Sequence, residues 1–148
     1  MNVSTLAFVL VYAQIINIFE TILWIGKLWG IKPPFKTYEG EHIENDAYHL
    51  FLSLAYVIPY PFITRGLEIL AAAILTWLLN DIMWHFWSVH VKYWLDWIKF
   101  YFNPKDDSTL WHARFGITTI RVTPRRMFKI TAFRIVFLGL FEILMLWN

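Results

Sequence analysis

The chain of 148 residues has no cysteine and few charged residues. Without cysteine it cannot form disulfides, thiolate metal sites, iron–sulfur clusters or a thiol nucleophile. Charged residues make up only 16% of the chain and hydrophobic residues 58%, and the mean hydropathy is +0.48. A soluble domain of this composition would expose larger apolar patches than soluble monomers tolerate. The composition therefore predicts a multi-pass integral membrane protein with one domain over residues 1–148.

Aromatic residues, by contrast, are abundant. Nine Trp, seven Tyr and thirteen Phe make up 20% of the chain. Tryptophan and tyrosine rings settle at the boundary between membrane and water. Much of the protein surface is therefore expected at that boundary.

Four apolar stretches are close to the ~20 residues that cross a ~30 Å hydrocarbon core. They cover residues 6–31, 47–64, 67–91 and 130–147. The second stretch is short, and Pro59 and Pro61 kink or end it because proline lacks a backbone donor. We predict an all-α protein with four transmembrane helices.

An amphipathic segment lies between the third and fourth stretches. Its apolar residues recur at helical spacing, at Trp87, Val91, Trp94, Ile98 and Phe102, with Lys92, Asp96 and Lys99 between them. This pattern predicts a helix lying along the membrane interface, with Trp94 and Ile98 buried and the charged residues in water. Asn103 and Pro104 end this helix. The residues 118–122 that follow are predicted to form a short strand.

The basic residues are concentrated on one side of the predicted bundle. The loop between the second and third stretches holds only Arg65, whereas the other side holds Lys27, Lys32, Lys36, Lys92, Lys99, Lys105, Arg114, Arg121, Arg125, Arg126 and Lys129. The positive-inside rule makes that side cytoplasmic and puts both termini outside. We expect this basic cluster to contact anionic membrane lipids rather than nucleic acid.

Ionisable residues of different stretches converge at one depth. At about 1.5 Å per residue, Glu20 lies roughly 21 Å from the outer edge, and Asp81 reaches a similar depth. The cytoplasmic ends of the second and fourth stretches bring further polar groups to the same shell, which is roughly 10 Å thick. The six residues of this shell are Glu20, Asp46, His49, Asp81, His85 and Arg134.

The spacings within this shell suit a metal site. Asp81 and His85 share one helix face at i,i+4, as do Asp46 and His49 at i,i+3, and His42 would extend the second face. With Glu20, this layout resembles that of the di-metal carboxylate bundles, although the paired carboxylates here are Asp rather than Glu.

Oxygen and imidazole ligands suit Fe, Mn or Zn. We therefore predict Glu20, His49, Asp81 and His85 as ligands of a divalent metal ion, and Asp46 as a further ligand or a catalytic base. A haem b with His49 and His85 as axial ligands is an alternative. Arg134, or Arg114, would hold the head-group phosphate of a substrate.

Structural roles compete with each of these assignments. Asp46 is also placed to cap the second helix, and Arg134 could form a buried ion pair with Glu20 or Asp81. His85, His90 and His112 could be interfacial imidazoles. A polar stripe on the first stretch, formed by Gln14, Asn17, Glu20 and Thr21, must face protein rather than lipid.

Two functions remain open at this stage. The first is a membrane metalloenzyme, an oxidoreductase or hydrolase that acts on a lipid-like substrate at the cytoplasmic leaflet. The second is a non-catalytic small subunit or scaffold whose polar residues are satisfied against other membrane subunits or in a homo-oligomer. An ion pathway fits less well, because the outer half of the bundle has few polar residues.

Overall fold

The computed structural model describes residues 1–35, 46–115 and 118–147 of the chain. It is mostly helical, with 69% of its residues in helices. The helices are α1 (Val3–Ile25), α2 (Asp46–Ala55), α3 (Leu67–Ser88), α4 (Trp94–Tyr101) and α5 (Pro124–Trp147), and the strands are β1 (Trp111–Phe115) and β2 (Thr118–Val122).

Three of these helices are long and apolar enough to cross a membrane: α1, α3 and α5. The first begins at the N-cap Asn2, whose side chain accepts a hydrogen bond of 2.8 Å from the amide of Thr5. It ends at Gly26, whose φ of 75° is easily adopted only by glycine. These three helices correspond to the first, third and fourth predicted stretches, with boundaries shifted by a few residues.

The long helices lie in a row with α3 in the middle, since α3 packs against both α1 and α5. The backbone amide of Asn2, before α1, donates to Glu68 in the first turn of α3 at 2.5 Å. The ammonium group of Met1 lies 2.8 Å from Glu142, near the end of α5. Helices α1 and α3 therefore start at the end of the bundle where α5 finishes.

The chain between α1 and α3 is not one continuous helix. The ten residues of α2 are followed by a turn and by a 3-10 turn at Tyr60–Phe62. Pro59 and Pro61 lie at this break, where their missing backbone donors prevent regular helix. The interruption agrees with the predicted effect of the two prolines, but α2 is much shorter than the predicted stretch at residues 47–64, and four spanning helices are not confirmed.

This broken segment nevertheless follows α1 along its length. The hydroxyl of Tyr12 donates to the carbonyl oxygen of Ala55 at 3.0 Å. The ring of Tyr60 packs edge-on against Phe8, with centroids 6.1 Å apart. Beyond them, Thr64 donates to Glu68 at the start of α3. Residues 48–64 therefore run antiparallel to α1, back to the end where it began.

Helix α4 folds back along the last turns of α3 instead of continuing it. Ile31 and Val89 form a parallel β-bridge after α3 ends, and the ring of Trp97 then reaches Trp84, at 5.9 Å between centroids. As predicted, Lys92, Asp96 and Lys99 are exposed. The buried side chains of α4, however, are Trp97 and Tyr101. Within the protein, Trp94 is half-buried and Ile98 is exposed, so the expected burial of these two side chains in the membrane interface stays a prediction.

The two strands form an antiparallel hairpin in which Trp111 pairs with Val122 and Phe115 with Thr118. The second strand agrees with the prediction at residues 118–122, but the first lies where a loop was expected, and it includes His112. The hairpin packs with α4 around one apolar core, which consists of Val89, Trp97, Tyr101, Leu110, Ala113, Val122 and Met127.

Candidate functional site: a buried polar network

Asn80 of α3 is the centre of a hydrogen-bond network between the helices. Its side-chain amide donates to Oδ1 of Asn17 at 2.8 Å and also to the carboxylate of Glu20, both on α1. Its Oδ1 accepts from the hydroxyl of Tyr56 at 2.6 Å. Asn17, Asn80 and Tyr56 are all buried, so these bonds form where lipid and protein leave few other partners.

Both carboxylate oxygens of Glu20 are occupied by protein donors. Oε2 accepts from Asn80 and Oε1 from the hydroxyl of Tyr48 on α2. The ring of Tyr48 is held edge-on against Trp24, with centroids 4.9 Å apart. Helix α2, though short, thus supplies a direct partner to the buried acid of α1.

Asp81 forms an ion pair with Arg134, which ties α3 to α5. Arg134 is only 7% exposed. Its guanidinium carbon lies 3.8 Å from the ring centroid of Trp77, in a cation–π arrangement. Trp77 also stacks on Tyr56, at 5.8 Å between ring centroids. The ion pair and the Asn80 network are therefore neighbours across one indole ring.

His85 lies on the side of α3 that meets α4. Its Nδ1 is 2.6 Å from the carbonyl oxygen of Ile82, and because a carbonyl only accepts, Nδ1 must carry the proton. The ring packs against Phe86 and Trp94, at centroid distances of 4.2 Å and 6.1 Å. Its Nε2 is buried and has no hydrogen-bond partner among the described residues.

The predicted metal ligands are not grouped as a coordination site. Over residues 1–35, 46–115 and 118–147, no cluster of three or more His, Asp or Glu side chains could hold a metal ion. His49 packs beside Tyr48, at 5.2 Å between ring centroids. The described residues thus give no support to a metal ion at Glu20, His49, Asp81 and His85. The metal site and the haem alternative stay predictions.

Some predicted positions cannot be compared with the structure. His42 lies outside the described residues. The backbone of Asp46 opens α2, but its side chain and that of Arg114 lie outside the described part. The proposed roles of Asp46 as ligand, base or cap, and of Arg114 as phosphate binder, therefore stay predictions.

No protein-family model matches this chain, and neither curated proteins nor solved structures give a significant match. The interpretation of the site therefore depends on its own geometry. In that geometry the carboxylate of Glu20 on α1 accepts hydrogen bonds from protein donors. The carboxylate of Asp81 on α3 is neutralised by Arg134 on α5.

The polar stripe of α1 faces protein, as predicted. Asn17 and Thr21 are fully buried. Gln14 accepts from the indole nitrogen of Trp87 at 2.8 Å. The stripe thus meets α3 at several levels, and Glu20 is one member of a longer polar contact.

Three residues of this network were not predicted from the sequence: Tyr48 and Asn80, which donate to Glu20, and Tyr56, which donates to Asn80. One signal was available, because Asn80 is a polar residue inside an otherwise apolar stretch.

Tyr101 of α4 lies close to the same charges. Burial raises the pKa of Tyr101 well above its ordinary value, and the nearby carboxylates of Asp81 and Glu20 raise it further. Helix α4 therefore places a buried, neutral phenol near these charges rather than another charge.

Proposed function

We propose that this chain is a multi-pass membrane protein that crosses the bilayer four times and serves as a non-catalytic small subunit or scaffold. In this proposal the buried polar residues hold the helices in register. The protein would present its apolar outer surface to lipid and to a partner subunit.

Four crossings are supported by the directions of the long helices. Helices α1 and α3 begin at the same end of the bundle, where Asn2 and Glu68 are hydrogen-bonded. If both helices cross, the chain between them has to return across the membrane. Residues 48–64 run beside α1 over that distance, through the contacts of Tyr12 and Tyr60, and can make this return without a continuous helix.

The orientation follows from charge. At the end of the bundle that contains Met1 and Glu68, the loop before α3 holds one basic residue, Arg65. The opposite end carries the basic residues that follow α1 and α3. The positive-inside rule then makes this opposite end cytoplasmic, with both termini outside.

The observation that carries the scaffold proposal is the use of the buried carboxylates. Two acids at one depth in a membrane need a positive charge or donors nearby. Arg134 supplies the charge to Asp81, and Tyr48 and Asn80 supply the donors to Glu20. No bound cation is required to explain why these acids are tolerated.

The outer face of α5 supports a partner. Among its exposed apolar side chains, Phe133 and Val136 are each 61% exposed. Only 6% of the most apolar part of this helix is buried within the chain. Such a face packs against lipid or against the helix of another membrane protein.

The metalloenzyme is the second candidate, and the unpartnered Nε2 of His85 is the observation that favours it. The two candidates can be separated by metal analysis of the protein purified in mild detergent, with Asp81→Ala and His85→Ala in parallel. The scaffold proposal expects far less than one Fe, Mn or Zn per chain in all three samples. One metal per wild-type chain, lost in both variants, would support the enzyme instead.

A partner can be tested by native mass spectrometry of the protein extracted from its own membranes. The scaffold proposal expects a complex heavier than the 17.7 kDa of one chain. A species of one chain with lipid alone would contradict a role within a larger complex.

A further inference from the structure

A groove of about 410 Å³ lies between the last turns of α3 and the segment that leads into α4. His85 and Phe86 line it from α3, and the other side is formed by Val91, Lys92, Trp94, Leu95, Asp96, Ile98 and Lys99. The groove therefore lies at the end of a helix that is long and apolar enough to cross a membrane.

One wall of the groove is apolar and faces outwards. Val91 is 59% exposed and Leu95 is 72% exposed. Ile98, which is also exposed, lies one turn after Leu95 on α4 and also lines the groove. Exposed aliphatic side chains in this position suit the acyl chain of a lipid.

The adjacent stripe carries charge. Lys92, Asp96 and Lys99 all line the groove and all are exposed. Their sum is one positive charge, and the two ammonium groups flank the carboxylate along the helix. A phosphate bound between the lysines would be attracted by both, and Asp96 would weaken but not cancel that attraction.

The imidazole of His85 adds a hydrogen-bond acceptor. Because its Nδ1 carries the proton that faces the carbonyl oxygen of Ile82, the neutral ring presents Nε2 as an acceptor. This atom is buried and lacks a partner within the described chain, and His85 is only 2% exposed. An unsatisfied buried acceptor is costly, and a hydroxyl group would satisfy it.

We propose that this groove binds an anionic phospholipid whose head group carries a hydroxyl, such as phosphatidylglycerol. The phosphate lies between Lys92 and Lys99, an acyl chain lies along Val91 and Leu95, and a head-group hydroxyl donates to Nε2 of His85. This inference rests on the membrane embedding proposed above, but not on the scaffold role.

The test compares lipids retained by the purified full chain in native mass spectrometry. The protein is exchanged into micelles doped with phosphatidylglycerol, phosphatidic acid or phosphatidylcholine. We expect phosphatidylglycerol to be retained best and phosphatidylcholine least. Lys92→Gln and Lys99→Gln should each lower the retention of phosphatidylglycerol about fivefold, as expected for one basic group near an anionic lipid. The control Lys105→Gln, an exposed lysine outside the groove, should have no effect.

The hydroxyl contact is tested separately. His85→Phe should abolish the preference for phosphatidylglycerol over phosphatidic acid and keep the preference over phosphatidylcholine. His85→Gln, which retains an acceptor, should restore the lost preference even if both variants are somewhat less stable.

Equal retention of phosphatidylglycerol and phosphatidylcholine would overturn the inference, as would unchanged retention in the Lys92→Gln, Lys99→Gln double variant. Binding of soluble glycerol phosphate as tight as that of the lipid would also overturn it, because the acyl chain would then contribute nothing. Failure of the membrane proposal looks different, since the protein would then stay in solution without detergent.

Discussion

At the scale of single residues, the buried polar groups of this chain are arranged as mutual partners. A mid-membrane aspartate or arginine costs about 2.5–3.5 kcal/mol on insertion scales. Asp81 and Arg134 offset this cost by pairing across α3 and α5. Glu20 has no such ion pair among the described residues and instead accepts hydrogen bonds from the neutral side chains of Tyr48 and Asn80.

Asn80 is the residue whose loss should affect this network most. Asn80→Leu keeps the side-chain size but leaves Glu20, Asn17 and Tyr56 each short of a partner. At about 1–3 kcal/mol for each buried unsatisfied group, unfolding in detergent should become easier by more than ~2 kcal/mol.

The matched control is Asn103→Leu, at a turn outside the spanning helices, where only the amide of Lys105 would lose its bond. Surface changes of this kind usually stay within about 0.5 kcal/mol. Equal losses for the two variants, measured by denaturant titration in mixed micelles, would show that the network contributes no stability.

At the scale of elements, α4 is the part that brings a buried phenol near the network. It does so because Trp94 and Trp97 pack back on Phe86 and Trp84 of α3. Tyr101, at the end of α4, is thereby buried. The packing of α4 should therefore be sensitive to the ionisation of this phenol.

Alkaline pH provides a measurement of that packing. Because burial raises the folded-state pKa of Tyr101 above its unfolded value, its contribution to stability is full below pH ~10 and is lost as the pH rises toward the folded-state pKa. In that window the free energy of unfolding should fall by up to about 1.4 kcal/mol per pH unit for this group.

Tyr101→Phe should make this alkaline decline shallower than that of the wild type. The measurement is the free energy of unfolding of the two proteins between neutral pH and pH ~11. Identical slopes for wild type and Tyr101→Phe would contradict the burial of this phenol.

The elements also show which features the sequence could predict. Long apolar stretches predicted α1, α3 and α5, because a helix that faces lipid must be apolar along its whole length. The first hairpin strand, Trp111–Phe115, was missed although its residues alternate between apolar and polar, because alternation over only five residues is a weak signal. The break at residues 89–93 was also missed, because the apolar spacing from Trp87 to Phe102 continues regularly through it.

The site was predicted in part for a similar reason. Depth arguments use only the rise per residue, and they identified Glu20, Asp81 and Arg134 as candidates for one shell. They do not give the rotation of each helix about its axis, which determines which side chains form pairs. In the structure Asn80, and not Asp81, is hydrogen-bonded to Glu20, whereas Asp81 forms an ion pair with Arg134.

At the scale of the whole molecule, the number of crossings can be measured directly because the native chain has no cysteine. Single cysteines at Lys32 and Arg65 bracket the segment that we propose as the return crossing, and both positions are exposed. In intact cells, Arg65→Cys should react with an impermeant thiol reagent, while Lys32→Cys and Ser108→Cys should react only after permeabilisation. Labelling of positions 32 and 65 from the same side would rule out a fourth crossing.

The central claim is that the buried charges hold the helices together by pairing with each other. A double-mutant cycle on Asp81→Leu and Arg134→Met tests this most directly, with the free energy of unfolding in mixed micelles as the readout. Each single change leaves an uncompensated buried charge and should cost about 3–5 kcal/mol, whereas the double variant, with apolar residues at both positions, should come close to the wild type. If the double variant instead loses the sum of the two single losses, the residues act independently and the account is contradicted.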